Sequence, residues 1–193
     1  MWSGGIDSTY VLAKMLRETN HNIFAHHIYL KNVERRDVAE AWAIQKLGDK
    51  LNKIRPFKFT FNHIDDSQMP TMVYDMARVC FEAGAVSKAI YHSPMALNID
   101  KWTIGTHEKE GHNWERWEFI KHATRAAEWT KGRERFIEFE LPEMVTKKEE
   151  MRYLKEYGLL DDCWYCRTPI PDVELKIYKP CGVCKTCHEV KEV

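Results

Sequence analysis

The sequence predicts an α/β protein in which a mainly parallel β-sheet carries helices on both faces, followed by a cysteine-rich extension. Two observations lead to this prediction. Helical and extended hydrophobic patterns alternate from the N-terminus to about residue 160, and this order of elements builds a parallel sheet. Beyond that point the alternation stops, and five of the six cysteines follow. We therefore expect an α/β domain over residues 1–160 and an extension over residues 161–193 packed on it.

The first half of the chain contains two helical and two extended patterns after a glycine-rich loop. Apolar residues with helical spacing predict a helix directly after the loop, and residues 23–30 read as a strand. A second helix begins at Asp37, and residues 57–64 alternate as a second strand. The side chains expected to face the core are Val11, Leu12, Met15 and Leu16 on the first helix and Val38, Ala41, Trp42 and Leu51 on the second.

The second half continues the alternation. A third helix is expected to end at Gly84, while residues 102–105 predict a short strand, residues 115–129 a helix and residues 136–141 another strand. Thr146 and Glu149 have the spacing of a capping box for a last helix, which Gly158 closes. In this order of elements, ligands bind at the carboxyl ends of the strands. The third helix is expected to bury Met72, Val73, Met76, Ala77, Cys80 and Phe81.

Composition fits a soluble protein with one sizeable core. The chain has 193 residues, of which 44% are hydrophobic, and its 29 basic residues balance 29 acidic ones. This neutrality gives no strong signal for nucleic-acid binding. No apolar run approaches the roughly 20 residues of a membrane span. Cysteines crowded at one end fit a metal site in a reducing cytoplasm better than a disulfide scaffold.

The loop before the first helix has the composition of a phosphate-binding site. Ser3-Gly4-Gly5-Ile6-Asp7-Ser8-Thr9 combines two residues that lack a Cβ atom, three hydroxyl groups and the free N–H groups of a helix N-terminus. Because G-x-x-x-x-G-K-[ST] is absent, a kinase-type loop is excluded. The alternative is an ordinary Gly-Gly turn that caps a helix. Only two residues precede the loop, so the strand expected to feed it is either vestigial or lies upstream.

This composition suits the β- and γ-phosphates of ATP as a departing pyrophosphate, with the Asp7 carboxylate either binding Mg²⁺ or ordering the loop. We expect Ser3, Asp7 and Ser8 to act in catalysis. ATP is expected to contact Ser3, Gly4, Gly5, Asp7, Ser8 and Thr9.

The C-terminal cysteines form a second constellation. Cys163 and Cys166 make one close pair, and Cys181, Cys184 and Cys187 follow a proline-containing stretch expected to be an extended loop. Close thiolates on both sides of a loop match a tetrahedral Zn²⁺ site. Four thiolates would fill the coordination shell of the ion, so a zinc bound there would be structural rather than catalytic. An iron–sulfur cluster or a redox dithiol is the competing use.

On these residues the chain resembles the PP-loop ATP pyrophosphatases, whose S-G-G-x-D-S signature matches Ser3, Gly4, Gly5, Asp7 and Ser8. The fold implied is the Rossmann-like arrangement of the adenine nucleotide alpha-hydrolases. The C-terminal Cys followed by C-G-x-C-x-x-C is similar to the 7-cyano-7-deazaguanine synthase family, in which an aromatic residue such as Trp164 precedes the first ligand. The resemblance implies Zn²⁺ on Cys166, Cys181, Cys184 and Cys187. Cys163 is then the spare thiol, and it stays an alternative ligand because the loop after Cys166 is longer than is usual in the family.

The resemblance also implies an ATP-dependent carbon–nitrogen ligase that works as a homodimer. ATP adenylates the carboxylate of 7-carboxy-7-deazaguanine, pyrophosphate leaves, ammonia forms the amide, and a second ATP drives dehydration to the nitrile 7-cyano-7-deazaguanine. Tyr29, at the end of its strand, is expected beside adenine. Because they follow a strand's carboxyl end, we expect substrate contacts from His107, Glu108, His112, Trp114 and Arg116, although a merely solvated polar loop is the alternative.

Two other classes of function remain open. One is a related PP-loop adenylating enzyme that stops at the amide or modifies a tRNA or a protein. The other is a nucleotide-binding module without turnover. Formation of AMP, and of amide or nitrile product, distinguishes them.

Overall fold

The computed structural model describes residues 1–69, 75–91, 99, 101–111, 114–128, 138–172 and 177–193. Within these residues the chain is mixed α/β with small parallel sheets, as the alternation predicts. The elements are α1 (Ile6–Glu18), β1 (Phe24–Lys31), α2 (Asp37–Ile54), β2 (Lys58–Asp65), α3 (Asp75–Tyr91), β3 (Lys101–Trp102), α4 (Glu108–Gly111), α5 (Trp114–Glu128), β4 (Glu138–Phe139), α6 (Lys147–Glu156), a 3₁₀ turn (Leu160–Asp162), β5 (Ile170–Asp172), β6 (Ile177–Lys179) and α7 (Lys185–Lys191).

Within the residues that the structure describes, the strands form three separate pairs, and a single large sheet of the kind that the sequence predicts is not among them. β1 and β2 pair in parallel, as do β3 and β4, whereas β5 and β6 are antiparallel. Residues 1–2 lie between the two parallel pairs, because Trp2 N–H donates to the His26 carbonyl on β1 and the Met1 amino group donates to the Thr103 carbonyl after β3, each at 2.9 Å. This dipeptide leads directly into the glycine-rich loop.

The main core brings both ends of the chain together. Leu12 and Leu16 of α1 pack in one cluster with Leu47 and Leu51 of α2 and with Leu154 of α6. The same cluster contains Trp164, Cys166 and Cys187 from the C-terminal extension, which is therefore packed against the core. A smaller cluster joins α3 and α5 around Cys80, Ile104, Trp117 and Ile120.

The buried face of α2 differs from the predicted one. Val38 is 51% exposed and Trp42 is 37% exposed, so the prediction that they face inward is wrong, whereas Leu51 is fully buried as expected. The ammonium of Lys46 lies 3.6 Å from the centroid of the Trp42 ring, and this cation–π contact accompanies the ring's partial exposure. The side chains that do face the core are Ala39, Ala43, Ile44, Leu47 and Leu51.

Two other predicted boundaries are corrected. α3 runs through Gly84 to Tyr91, because a glycine inside a helix costs only about 1 kcal/mol and tertiary packing continues past it. Cys80 is buried as expected, but Phe81 is 44% exposed, and Met72 and Val73 lie outside the described residues. The stretch between Cys166 and Cys181 contains the β5–β6 pair instead of only a loop.

The start of α6 has the predicted capping box. Thr146 Oγ1 accepts from the Glu149 N–H at 3.3 Å, and a Glu149 carboxylate oxygen accepts from the Thr146 N–H at 2.8 Å. Gly158, at a φ of +65°, follows the helix end. The cap fixes Lys147 as the first residue of α6, which places its side chain near α1.

Across the described part of the chain, the helices are too short or too polar to cross a lipid bilayer.

Candidate functional site

The glycine-rich loop makes a tight turn into α1. Gly4 has a φ of +77°, a conformation that residues with side chains rarely adopt. A Cβ atom on Gly4 would lie 3.3 Å from side-chain atoms of Ala43 and Ile44, so α2 closes one side of the turn. Gly5 is the N-cap residue and offers no capping side chain. The N–H groups of the first helical turn therefore remain as donors for an anion.

The hydroxyl groups of the loop bond to one another. Ser3 Oγ lies 3.0 Å from Ser8 Oγ, and the Ser3 N–H donates to Ser8 Oγ at 3.2 Å. The Gly5 N–H donates to Ser3 Oγ at 3.3 Å. Thr9 differs, because it is fully buried and its hydroxyl accepts from the Trp2 indole N–H at 3.1 Å. Thr9 therefore supports the loop from inside, while Ser3 and Ser8 line a cleft beside it.

A cleft of about 220 Å³ opens beside this loop. Ser3, Gly5, Asp7 and Ser8 line one part of it. Another part lies at the carboxyl end of β1, where Asn32 follows the strand. This is the edge at which parallel α/β sheets bind their ligands. The other lining residues include Ile28 and Leu30 of β1, Met76 and Val79 of α3, and Ile104 and Gly105 after β3.

Arg36 organises the charged part of the cleft beyond β1. Its guanidinium lies 2.6 Å from carboxylate oxygens of Glu34 and Asp75 and 3.3 Å from one of Glu40. Burial raises the pKa of Glu40 to about 7. The arrangement offers acceptor oxygens to the N–H groups of a ligand. No role was predicted for these residues, although Glu34 and Arg36 lie shortly after β1, at the edge of the sheet where ligands bind.

Lys147 provides a cation at the loop. Its ammonium lies 2.5 Å from Asp7 Oδ1, although the two residues are 140 positions apart in sequence. Burial alone would raise the pKa of Asp7, but the contacts with Lys147 and Glu150 outweigh it and hold that pKa below its usual value. Asp7 is therefore an anion at neutral pH. From the sequence, the capping box of Thr146 and Glu149 predicts only that a helix begins around Lys147, because nothing local shows which loop a helix N-terminus meets.

Glu150 lies one turn along α6 from Lys147 and is fully buried. Its carboxylate is 3.5 Å from the Lys147 ammonium, and neither of its oxygens has a hydrogen bond of normal geometry within the described residues. Burial, and next the Asp7 carboxylate, raise the pKa of Glu150 to about 10. Glu150 is therefore neutral at physiological pH.

The predicted substrate residues are only partly brought to the loop. His107 is close enough to Asp7 to help lower the pKa of that carboxyl, whereas Glu108 is exposed and donates its N–H to the Val145 carbonyl at 2.9 Å. Trp114 is 70% exposed, and Arg116 lies 5.9 Å from the Trp117 ring on α5. His112 lies outside the described residues. Substrate contacts from Glu108, Trp114 and Arg116 stay predictions.

Tyr29 faces away from the cleft. Because alternate strand residues point to opposite faces, Ile28 and Leu30 line the cleft while the Tyr29 side chain projects to the other face of β1. There it lines a second cavity of about 540 Å³ and stacks on His63 with ring centroids 4.5 Å apart. The structure therefore does not bring the Tyr29 ring to the loop.

Two histidines of β1 make contacts that support the fold around the loop. His26 bonds to Thr60 Oγ1 at 2.8 Å and to Asn62 Oδ1 at 3.2 Å. His27 Nδ1 lies 3.0 Å from the Trp2 carbonyl, and burial lowers the pKa of His27 to about 4. His27 is therefore neutral and ties β1 to the residues that lead into the loop.

The C-terminal cysteines converge as the sequence predicts. The sulfur atoms of Cys166, Cys181, Cys184 and Cys187 all lie within 4.8 Å of one another, so the four residues could hold a metal ion such as zinc. Cys181 and Cys187 sulfurs are 3.9 Å apart, close to the roughly 3.8 Å that a tetrahedron of Zn–S bonds about 2.3 Å long requires. The Cys181 N–H donates to the Cys166 sulfur at 3.1 Å, and the Cys184 N–H to the Cys181 sulfur at 3.3 Å.

Cys163 stands apart from this group. Its thiol is buried and donates to the Leu159 carbonyl at 3.4 Å, and burial raises its pKa to about 12. It is therefore a protonated thiol of the core. The cluster that could bind metal contains the other four C-terminal cysteines.

The cysteine cluster and the loop are joined through Trp164. The Trp164 N–H donates to the Gly4 carbonyl at 2.9 Å, and its indole N–H donates to the Cys166 carbonyl at 2.9 Å. The residue that bonds to the turn is thus also bonded to Cys166, a member of the cysteine cluster.

Comparison of the sequence with protein-family models, with curated proteins and with solved structures finds no significant match.

Proposed function

We propose that the chain binds ATP with its phosphates at the glycine-rich loop and transfers AMP to a carboxylate, releasing pyrophosphate. The observation that carries this proposal is the meeting of three elements at one point. They are the Gly4 turn, the uncapped N-terminus of α1 and the Lys147 ammonium on Asp7. Together they supply backbone donors and a cation where a pyrophosphate leaving group would develop charge.

Lys147 has the properties of a phosphate ligand in this proposal. A lysine ammonium binds phosphate as a point charge, and here it is bonded to a carboxylate at the loop before the nucleotide arrives. Asp7 would hold Mg²⁺ through its carboxylate, because hard divalent cations prefer oxygen ligands. Ser3 and Ser8 would exchange their mutual hydrogen bond for bonds to phosphate oxygens.

The acceptor proposed is 7-carboxy-7-deazaguanine, converted with ammonia to the amide and then to the nitrile. Sequence resemblance supports this choice. The carboxylates around Arg36 would add acceptors for the N–H groups of a purine-like base. The acyl adenylate reacts with water, so the cleft must exclude solvent during turnover.

The metal proposed for the four cysteines is zinc in a structural role. Four thiolates leave no open coordination position, and the cluster stands apart from the cleft-lining residues. The metal would supply folding energy to an extension whose own strands are three residues long.

An assay with ATP, Mg²⁺, ammonia and 7-carboxy-7-deazaguanine tests the proposal. We expect AMP, pyrophosphate and a product with the mass of the amide or nitrile. AMP without either product would redirect the proposal to a macromolecular acceptor. Absence of AMP with every acceptor, together with ATP binding, would mean a nucleotide-binding module without turnover.

Substitution of Asp7 and Lys147, the two charged residues that meet at the loop, tests the proposal at the level of single residues. Asp7→Ala should abolish AMP formation while zinc content and folding are kept. Lys147→Met should lower kcat/KM by about 10²–10³, the usual cost of a lost electrostatic contact to a leaving group. Lys148→Met is the matched control, because Lys148 is the exposed neighbour on the same helix and should leave the rate unchanged. Equal rates for both lysine variants would contradict the assignment.

A further inference from the structure

Glu150 is a buried carboxyl group whose removal from water is poorly compensated by hydrogen bonds. It is fully buried on α6, and both of its oxygens lack a hydrogen bond of normal geometry within the described residues. Taking such a group out of water is costly unless partners compensate for it. A buried polar group of this kind is expected where function, rather than folding, requires it.

Its position relative to the loop suggests that function. The Lys147 ammonium lies between two carboxyl groups, at 2.5 Å from Asp7 on α1 and at 3.5 Å from Glu150 on its own helix. The capping box of Thr146 and Glu149 fixes the first turn of α6, which fixes the spacing between Lys147 and Glu150. The Lys147 ammonium thus has one partner at the loop, Asp7, and a second oxygen acceptor on its own helix, Glu150.

We propose that Glu150 is a positioning residue that keeps the Lys147 ammonium free to serve a phosphate group. This inference rests on the proposed binding of ATP at the loop. When phosphate enters, Lys147 has to loosen its bond to Asp7. The Glu150 carbonyl oxygen is a second hydrogen-bond acceptor for the Lys147 ammonium. While it is bonded there, the ammonium can still reach a phosphate at the loop. Without that acceptor, the Asp7 carboxylate is the remaining partner, and it competes with phosphate for the ammonium.

Replacement of Glu150 by an apolar residue separates this role from a structural one. Glu150→Leu replaces a buried polar group, whose oxygens lack hydrogen bonds of normal geometry, by an apolar side chain of similar volume, so we expect the Tm of the ligand-free protein to rise by about 2 °C or more. At the same time, the Kd for ATP should rise about tenfold, which corresponds to the loss of one good polar contact. Stability and affinity should therefore move in opposite directions, which a purely structural residue cannot produce.

Two further variants complete the test. Glu150→Gln keeps an oxygen acceptor next to Lys147 and should bind ATP within about threefold of the unsubstituted protein. Glu156→Leu makes the same replacement at an exposed position near the end of α6 and should change neither Tm nor Kd. Calorimetric titration with ATP, with and without Mg²⁺, gives the affinities, and thermal unfolding gives Tm.

The outcomes are distinguishable. If the unsubstituted protein binds no ATP, the proposed function fails and this inference fails with it. If that protein binds ATP and Glu150→Leu binds it equally well, the positioning role alone is refuted. If both Glu150 variants lose stability and affinity in parallel, Glu150 is a structural residue. If Glu150→Leu does not fold, full affinity in Glu150→Gln supports the polar role and a tenfold loss overturns it.

Discussion

Gly105 should be the least replaceable glycine of the site. It follows β3 and crosses directly over the first turn of α1. A Cβ atom at this position would lie 2.2 Å from the Ser8 nitrogen, 2.5 Å from Ser8 Cα and 2.6 Å from the Asp7 carbonyl carbon. All three are backbone atoms, so no side chain can rotate away, and Gly105→Ala must push the two segments apart.

The size of the effect follows from these distances. An opening of about 1 Å is needed to restore an ordinary contact, because non-bonded heavy atoms do not approach much closer than about 3.4 Å. Overpacking of this kind costs about 1–3 kcal/mol of unfolding free energy. For a domain of this size, that corresponds to a Tm roughly 2–12 °C lower. The shift would fall on the Asp7–Ser8 backbone, so ATP affinity should drop together with stability.

Gly48→Ala is the matched control. Gly48 lies inside α2, and a Cβ atom there would meet no other atom within 4 Å. The same substitution should therefore raise the unfolding free energy by about 1 kcal/mol, since alanine is the better helix former. Thermal unfolding and ATP titration of both variants provide the measurement. If Gly105→Ala matches the unsubstituted protein in Tm and in Kd, the close approach of β3 to α1 is not present in solution.

The remaining predictions concern the metal and the pH dependence of stability. Cys184→Ser should reduce bound zinc from one ion per chain to near zero, as metal analysis would show, whereas the matched control Cys163→Ser should keep its zinc. Because Trp164 links the cysteine cluster to Gly4, titration should also show weaker ATP binding in Cys184→Ser. His27 has a pKa of about 4 in the folded protein, against about 6.5 when unfolded, so the unfolded state binds more protons between these values. Stability should therefore be complete above pH 6.5 and fall by about 3 kcal/mol as the pH drops to 4. Urea unfolding of His27→Asn across this range should show a flatter slope than that of the control variant His21→Asn, and equal slopes would contradict the assignment.

The sequence was sufficient for features that depend on neighbours along the chain. The Gly4 turn and the capping box of α6 are local, and the structure contains both. The convergence of the cysteines is also confirmed, because close spacing brings Cys181, Cys184 and Cys187 together without reference to the rest of the fold.

Features that depend on packing were predicted less well. Trp42 is apolar and sits at helical spacing, but Lys46 covers its ring and the core uses the alanines beside it. Gly84 was a reasonable helix end, yet packing of α3 against α5 carries the helix beyond it. Lys147 and Glu150 were missed as site residues because their partner Asp7 lies at the other end of the chain. Local pattern carries no information about such contacts.

The hydrogen bond from Trp164 to Gly4 joins residues 160 positions apart in the sequence. Contacts of such large sequence separation form slowly, because the intervening chain must first give up its freedom. During synthesis, residue 4 leaves the ribosome long before residue 164 exists. The nascent chain can therefore acquire its early helices while the turn still lacks this anchor, and the turn should be completed only after residue 164 has left the ribosome.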